Sequence, residues 1–363
     1  DNEVDLLVEE VTFWNGSSAG NASSSGVVGG SGIWTASSGA SNWTSASGNT
    51  ASAWSSDGYG FAIFEGTAGI ATVDDSSGPV STTGMQFVTS GYTVKGDGIT
   101  LRGAIGGTEA YIRVQEDASA TVASALSGDG VGLIKSDLGT LYLAGDNTYS
   151  GGTEVAFGTL AIGDGGTTGS VSGDITVDEG AVFGVFRSDD YTFENGLSGE
   201  GTFAQMGSGT TRINGDYSSF GGSSEIRAGN LEVGGTLAGD ILVKGGRLGG
   251  TGTVGNVTIA SGGSIGAGDN ETVAALSTGS ISFANGSTII TNIDTSGSAD
   301  LINANGAVTI SGGTISVVAN ASETYTVGDV YTIISASGGM TLQDGNGDGT
   351  EGFDTVATNI ADM

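Results

Sequence analysis

The chain has 363 residues, of which 70 are glycine and one is proline, and 40 acidic side chains against 9 basic ones give a formal net charge of −31. That charge repels phosphate backbones and anionic lipid surfaces, so nucleic acid is not expected as a partner, while divalent cations are attracted. With no histidine and no cysteine, the chain has no Ser-His-Asp or Cys-His arrangement, no imidazole zinc site and no thiol nucleophile.

No stretch approaches the ~18 uninterrupted apolar residues of a spanning helix, and Asp1 opens the sequence without the basic and apolar regions of a signal peptide, as if one had already been removed. The absence of cysteine fits a reducing compartment or an exported chain that stays unbridged while it crosses a membrane.

Residues 1 to about 60 are rich in Ser, Gly and Asn and hold all four tryptophans, Trp14, Trp34, Trp43 and Trp54. Two readings are open for them: an exposed platform that stacks on sugars, or a cap over the open end of an apolar core. The cap is favoured, because an uncapped sheet end leaves unpaired backbone groups that invite aggregation. From "GFAIFEGTAGIATVDD" (60–75) onward, short apolar alternations are separated by Gly, Asn and Asp, and no helical periodicity recurs over a useful window.

In "GTLYLAGDNTYSGGTEVAFGTLAIG" (139–163) the pairs Leu141 and Leu143, Val155 and Phe157, and Leu160 and Ile162 are each too short for a strand that stands alone, and all are expected to face a core. "GDGGTTGS" (163–170) superficially suggests a phosphate-binding loop, but it lacks the Gly-Lys-Ser/Thr ending and the following helix and reads as a corner. Texture divides the chain into a cap with first coils (1–60), a central region (61–254) and a C-terminal region (255–363).

Internal similarity explains the fragments. "GTLYLAGDNTYSGG" (139–152) aligns with "GTTRINGDYSSFGG" (209–222), and "GTLAIG" (158–163) with "GNLEVG" (229–234). A shorter period carries "GDILV" (239–243) onto "GNVTI" (255–259) and so predicts Val243 over Ile259. Units repeating at fixed periods cannot bury an apolar face alone and stack on their neighbours.

The fold class predicted is all-β, a right-handed parallel β-helix. Its coils take roughly 16 to 25 residues and lie about 4.8 Å apart, giving on the order of 15 coils in a rod roughly 70 Å long. A set of β-sandwiches is the alternative, and the hairpin turns and longer alternations it needs are scarce.

"LAGDNTYSGGTEVAFGTLAIGD" resembles the passenger-associated repeat of bacterial autotransporters, secreted proteins of Gram-negative outer membranes, with its Gly-Asp-Asn-Thr-Tyr-Ser-Gly-Gly-Thr core as the specific part. Upstream, the spaced tryptophans, "AIFEGTAGIATVD" and "GMQFVTSGYTVKGDGITL" resemble the first coils of such passengers. Downstream, "SADLINANGAVTISGGTISVV" (298–318), "YTVGDVYTIISASGG" (325–339) and "GFDTVATN" (352–359) resemble the autochaperone segment that adjoins the translocator.

The C-terminal transmembrane barrel of that family is missing from these residues, and the expectation is a barrel cut away close to the family's linker helix rather than a naturally released passenger. The resemblance implies display at the cell surface after export through the outer membrane. It also implies a binding role as an adhesin or self-associating factor, with a host or bacterial surface protein or glycan, or the chain itself, as partner, and the chain's own barrel as partner during export. An enzyme acting on surface polysaccharide and a structural coat protein are the alternatives.

For catalysis, 40 carboxylates must include some close pair, yet no pair in sequence is flanked by features that would raise a pKa, and no basic residue sits within an Asp cluster of the kind a calcium-dependent lyase uses. No catalytic residue and no required cofactor are therefore assigned. Sequons at Asn15, Asn42 and Asn256 follow from the abundance of Asn, Ser and Thr.

The one metal candidate is "DGNGDGTE" (344–351), where Asp344, Asn346 and Asp348 alternate ahead of Gly349 as in the first half of a calcium loop. The bidentate Glu at the twelfth position is missing, since Thr355 stands there. Two readings stay open: a weak Ca²⁺ site completed by Glu351 or Asp354, or an acidic, Gly-rich hairpin tip that binds nothing.

Overall fold

A computed structural model describes residues 10–16, 26–37, 42–54, 59–269, 272–319, 325–326, 328–345, 347, 349 and 351–358. Two compact units divide the chain, Asp1–Gly184 and Val185–Met363. Each is a parallel β-solenoid, and no α-helix occurs among the described residues.

In the first unit one sheet passes from Glu10–Trp14 through Gly60–Phe64, Gly84–Phe87, Glu109–Val114, Gly132–Ser136 and Thr153–Val155 to Ile175–Val177, each strand parallel to the next. A second runs from Gly32–Thr35 to Thr159–Ile162, and a short third joins Val80–Thr82, Ile99–Leu101 and Leu126–Ser127. The second unit repeats the plan, its strands falling into three parallel sheets.

Strands of two to six residues suffice because each coil supplies only one rung of a ladder that its neighbours complete. In the first unit Ala71, Val94, Val122, Leu143 and Ile162 stand in consecutive register, all buried. The second unit stacks Ile226, Val243, Ile259, Phe283 and Ile310 in the same way, so Val243 does lie over Ile259. A fully buried aliphatic side chain contributes about 1.5–3 kcal/mol, and in a solenoid that gain exists only once the next coil has formed.

The four tryptophans close the beginning of the first unit. All are buried, and their ring centroids lie 5.0 Å apart for Trp14 and Trp43, 4.9 Å for Trp34 and Trp54 and 4.5 Å for Trp43 and Trp54. Strands Trp43–Thr44 and Ala51–Ser52 run antiparallel and cover the edge of Glu10–Trp14. The rings face one another and Phe64 rather than solvent, which sets aside the sugar-stacking platform and supports the cap.

Corners are built from polar side chains turned inward. The segment 163–170 is also a corner, held from outside: its Gly169 amide donates to Oδ1 of the exposed Asp146 (3.1 Å). Asn147, in the repeated Gly-Asp-Asn-Thr-Tyr core, is buried and ties three coils together. Its Oδ1 accepts from the Leu126 amide (2.9 Å), and its Nδ2 donates to the carbonyls of Gly145 and Ser170 (2.8 Å each). The glycine pair that follows is sterically required, since Gly152 sits at φ +85° and a Cβ on Gly151 would meet the Gly132 amide nitrogen at 2.3 Å.

Candidate binding surface

The first sheet of the first unit is apolar on its outer face as well as its inner one. In Gly60–Phe64, Ala62 and Phe64 turn into the core while Phe61 and Ile63 turn out and are only half-buried. Register then lines up an outer column. Val11 stands beside Phe61, Phe61 beside Gly84, Gly84 beside Tyr111 and Tyr111 beside Ile134.

Gly84 is the low point of this face. A Cβ there would meet the Phe61 ring at 2.6 Å, so the absence of a side chain lets the ring lie down across the sheet. The result is a groove of about 490 Å³ walled by Val11, Phe61, Ile63, Tyr111 and Phe157. Val11, Tyr111 and Phe157 are 49%, 37% and 56% exposed. Contiguous exposed apolar surface is the usual mark of an interaction site on a protein, which makes this groove the candidate.

Phe157 was expected to pair with Val155 inside the core, and this expectation is corrected. The strand stops at Val155, and the turn that follows swings Phe157 outward. The turn is held by an inward-facing lysine, Lys135, whose Nζ donates to the carbonyls of Asp137 (2.7 Å), Phe157 (2.9 Å) and Ser136 (3.0 Å). Burial pulls the Lys135 pKa down to about 8, against a smaller opposing pull from Asp137. The same Asp137 reaches out to Arg113 (3.2 Å) at the rim of the groove. One buried amine therefore fixes both the aromatic wall and the acidic partner of the groove's cation.

Further along the same face the surface turns acidic. Ile134 is followed in register by Glu154, and Glu109, Glu154 and Asp174 line a second, polar groove of about 420 Å³ floored by Gly151, Gly152 and Gly173. Burial, then the charges of Asp178 and Glu109, push the Glu154 carboxyl above the ordinary carboxylate range. The expectation that no carboxylate pair is flanked by pKa-raising features is thus corrected for Glu154, because coil stacking brings together residues far apart in sequence. Neither Glu109 nor Glu154 pairs with a lysine or arginine among the described residues.

Folding also sets Arg212 of the second unit between Asp190 (2.9 Å) and Glu232 (3.1 Å), where sequence spacing placed no basic residue in an acidic cluster. Among the metal candidates, Asp344 accepts the amides of Gly347 (2.7 Å, Oδ1) and Gly349 (2.9 Å, Oδ2), so both its oxygens cap its own loop. Asn346 and Asp348 lie outside the described residues, and Glu351 is exposed. Asp354 is turned toward the neighbouring coil, where its Oδ2 accepts the Gly313 amide (2.7 Å).

Of the groove residues the sequence singled out only Phe157, and as a core residue. The available signal was a strand apolar at both parities, "GFAIF", with another, Glu109–Val114, whose outer parity reads Glu109, Tyr111, Arg113.

The passenger-associated-transport-repeat matches residues 133–162 and 203–233, the two segments that contain the repeated cores. Over 272 residues, 67% of its length, the chain is 34% identical to "Adhesin BmaC autotransporter" of Brucella suis biovar 1 (strain 1330), and it spans only 8% of that protein. The repeats, the stacked parallel coils and this similarity agree: the chain belongs to the autotransporter passengers, which are exported through the bacterial outer membrane and exposed at the cell surface.

Proposed function

We propose that the chain is an adhesive segment that binds a partner on another cell's surface through the apolar groove of its first unit, and that it acts by binding rather than by turnover. The observation that carries this reading is the outward column Val11, Phe61, Tyr111 with Phe157 beside it, an apolar face that the core does not use. Aromatic side chains held on a rigid sheet give large contact area at little entropic cost, the property that concentrates binding energy in a few residues. The adhesin named among its relatives supports the same reading.

The test is binding of the purified chain to cells, comparing wild type with a Phe61→Ser, Tyr111→Ser double variant. Anchors of this type contribute roughly 2 kcal/mol or more, so binding should weaken at least ~30-fold while melting stays unchanged, both side chains lying outside the core. Undiminished cell binding by a folded double variant would overturn the reading. If wild type forms oligomers that the variant does not, and binds no cell, the groove serves self-association instead.

A further inference from the structure

Resting on the groove as the binding surface, we infer that its partner is a cationic, extended segment of a protein, one that places an apolar side chain against Phe61 and Tyr111 and a following lysine or arginine against Glu109 and Glu154. The inference comes from the way the two grooves share one face. Phe61, Gly84, Tyr111, Ile134 and Glu154 occupy a single outward column, one per coil, so a ligand laid along it leaves the apolar groove and enters the acidic one without changing direction. Steps between neighbouring coils are about 4.8 Å, which places Glu154 roughly 10 Å from Tyr111, the reach of about three extended residues.

Charge complementarity selects the sign of the ligand. The groove's own cation, Arg113, is neutralised by Asp137 at 3.2 Å. Glu109, Glu154 and Asp174 carry no such partner among the described residues and line one groove over a glycine floor. Glu109 leans over Gly132, its register partner, where a Cβ would strike its Oε2, so its carboxylate lies over the next coil, on the side of Glu154. An incoming ammonium or guanidinium offsets the burial and, after it, the charges of Asp178 and Glu109 that raise Glu154, and the chain's overall charge of −31 steers such a ligand from a distance. An anionic glycan or a second copy of this equally acidic chain gains none of this.

The experiment is fluorescence anisotropy of the whole chain with a short labelled peptide carrying leucines at one end and lysines at the other. Control peptides replace the lysines by glutamate or the leucines by serine. Expected is saturable binding of the first peptide only, falling steeply with salt. Binding should also weaken about tenfold in a Glu109→Gln, Glu154→Gln variant, as for the loss of two charge contacts at a partly exposed site.

Equal binding of the glutamate control, or an unchanged affinity in the double Gln variant, overturns the cationic partner. So does binding of a neutral glycan at the same face in competition with the peptide. These outcomes are separate from failure of the adhesive reading. If Phe61→Ser with Tyr111→Ser abolishes cell binding while no lysine peptide binds, the groove stands and only the partner class falls. If cell binding survives that variant, the groove itself is wrong.

Discussion

The two passenger-repeat segments, 133–162 and 203–233, keep the same pattern of inward apolar residues and change the chemistry of the corners. Leu143 and Ile213 are buried at matching positions, as are Leu160 and Leu231, and Ile162 and Val233. At the corner, however, the first copy uses Asn147 and the second Tyr217. The asparagine donates to two carbonyls and accepts from the Leu126 amide, whereas the tyrosine hydroxyl donates toward the carbonyls of Asn195 (3.0 Å) and Phe193 (3.4 Å) of the preceding coil.

Lys135 and Gln205 form a second such pair. Both are buried, and both donate to turn carbonyls, Gln205 through Nε2 to Gly207 (2.9 Å) and Gly209 (3.2 Å). What the fold conserves between copies is therefore a satisfied set of carbonyls, and the side chain that satisfies them is free to vary. The first copy chose a chargeable one, and with it the placement of Phe157 and Asp137 at the groove.

The largest effect should come from breaking what the copies share. Val243 stands in the ladder that continues from the second copy and is fully buried. Val243→Asp places an unpaired charge between Ile226 and Ile259, and a loss of about 3–5 kcal/mol is expected, read as a lowered melting temperature and denaturation midpoint. An unchanged melt would mean that the position does not face the core. Leu143→Asp should behave alike in the first unit.

Next in size is the corner. Asn147→Ala removes three hydrogen bonds and leaves the Leu126 amide buried without its acceptor, while the carbonyls of Gly145 and Ser170 keep backbone donors, a cost of about 3 kcal/mol. Tyr217→Phe keeps its ring in the core and loses only the hydroxyl's bonds, so about 1 kcal/mol is expected in the same denaturation assay. If the two substitutions cost the same, the corners are not equivalent devices with different numbers of bonds.

Much of this comparison was legible in the sequence, because a parallel solenoid writes its register as a repeat: the shift that carries "GDILV" onto "GNVTI" is the register in which Val243 meets Ile259. The corners and the groove were not. Lys135, Gln205 and Arg247 are polar residues at inward parity, and their carbonyl partners are delivered by turns and neighbouring coils that no local window contains. Phe157 follows Val155 at core parity, and only the end of the strand turns it outward. Glu109, Glu154 and Asp178 become neighbours through stacking alone.

Lys135 also separates the copies by pH. Its pKa, about 8 when folded against 10.5 when unfolded, is depressed, so its neutral form favours the fold. The stability it contributes is present above pH 10.5 and lost as pH falls through about 8. Relative to Lys135→Gln, wild type should gain roughly 2–3 kcal/mol between those values, measured as the difference in unfolding free energy so that groups common to both proteins cancel. Gln205→Lys should bring a rise of the same sign to the second unit. A flat difference curve for both would show that the buried amine is charged at no cost.

The smallest effect concerns the loop at 344–351, outside both repeats. Asp344 there does with two carboxylate oxygens what the corner residues do elsewhere, since it satisfies backbone groups of its own turn, the amides of Gly347 and Gly349. A carboxylate used twice in this way retains further lone pairs but little freedom to move. Any Ca²⁺ bound with Glu351 would therefore be of the weak extracellular kind, with Kd on the order of 10⁻⁴ to 10⁻³ M. Asp354 is turned from such a site toward the neighbouring coil, where its Oδ2 holds the Gly313 amide. Calorimetric titration should give a small heat in wild type that Asp344→Ala abolishes. Identical titrations would leave Asp344 as a loop cap alone, and that variant should then lose no more than about 1 kcal/mol, confined to the loop.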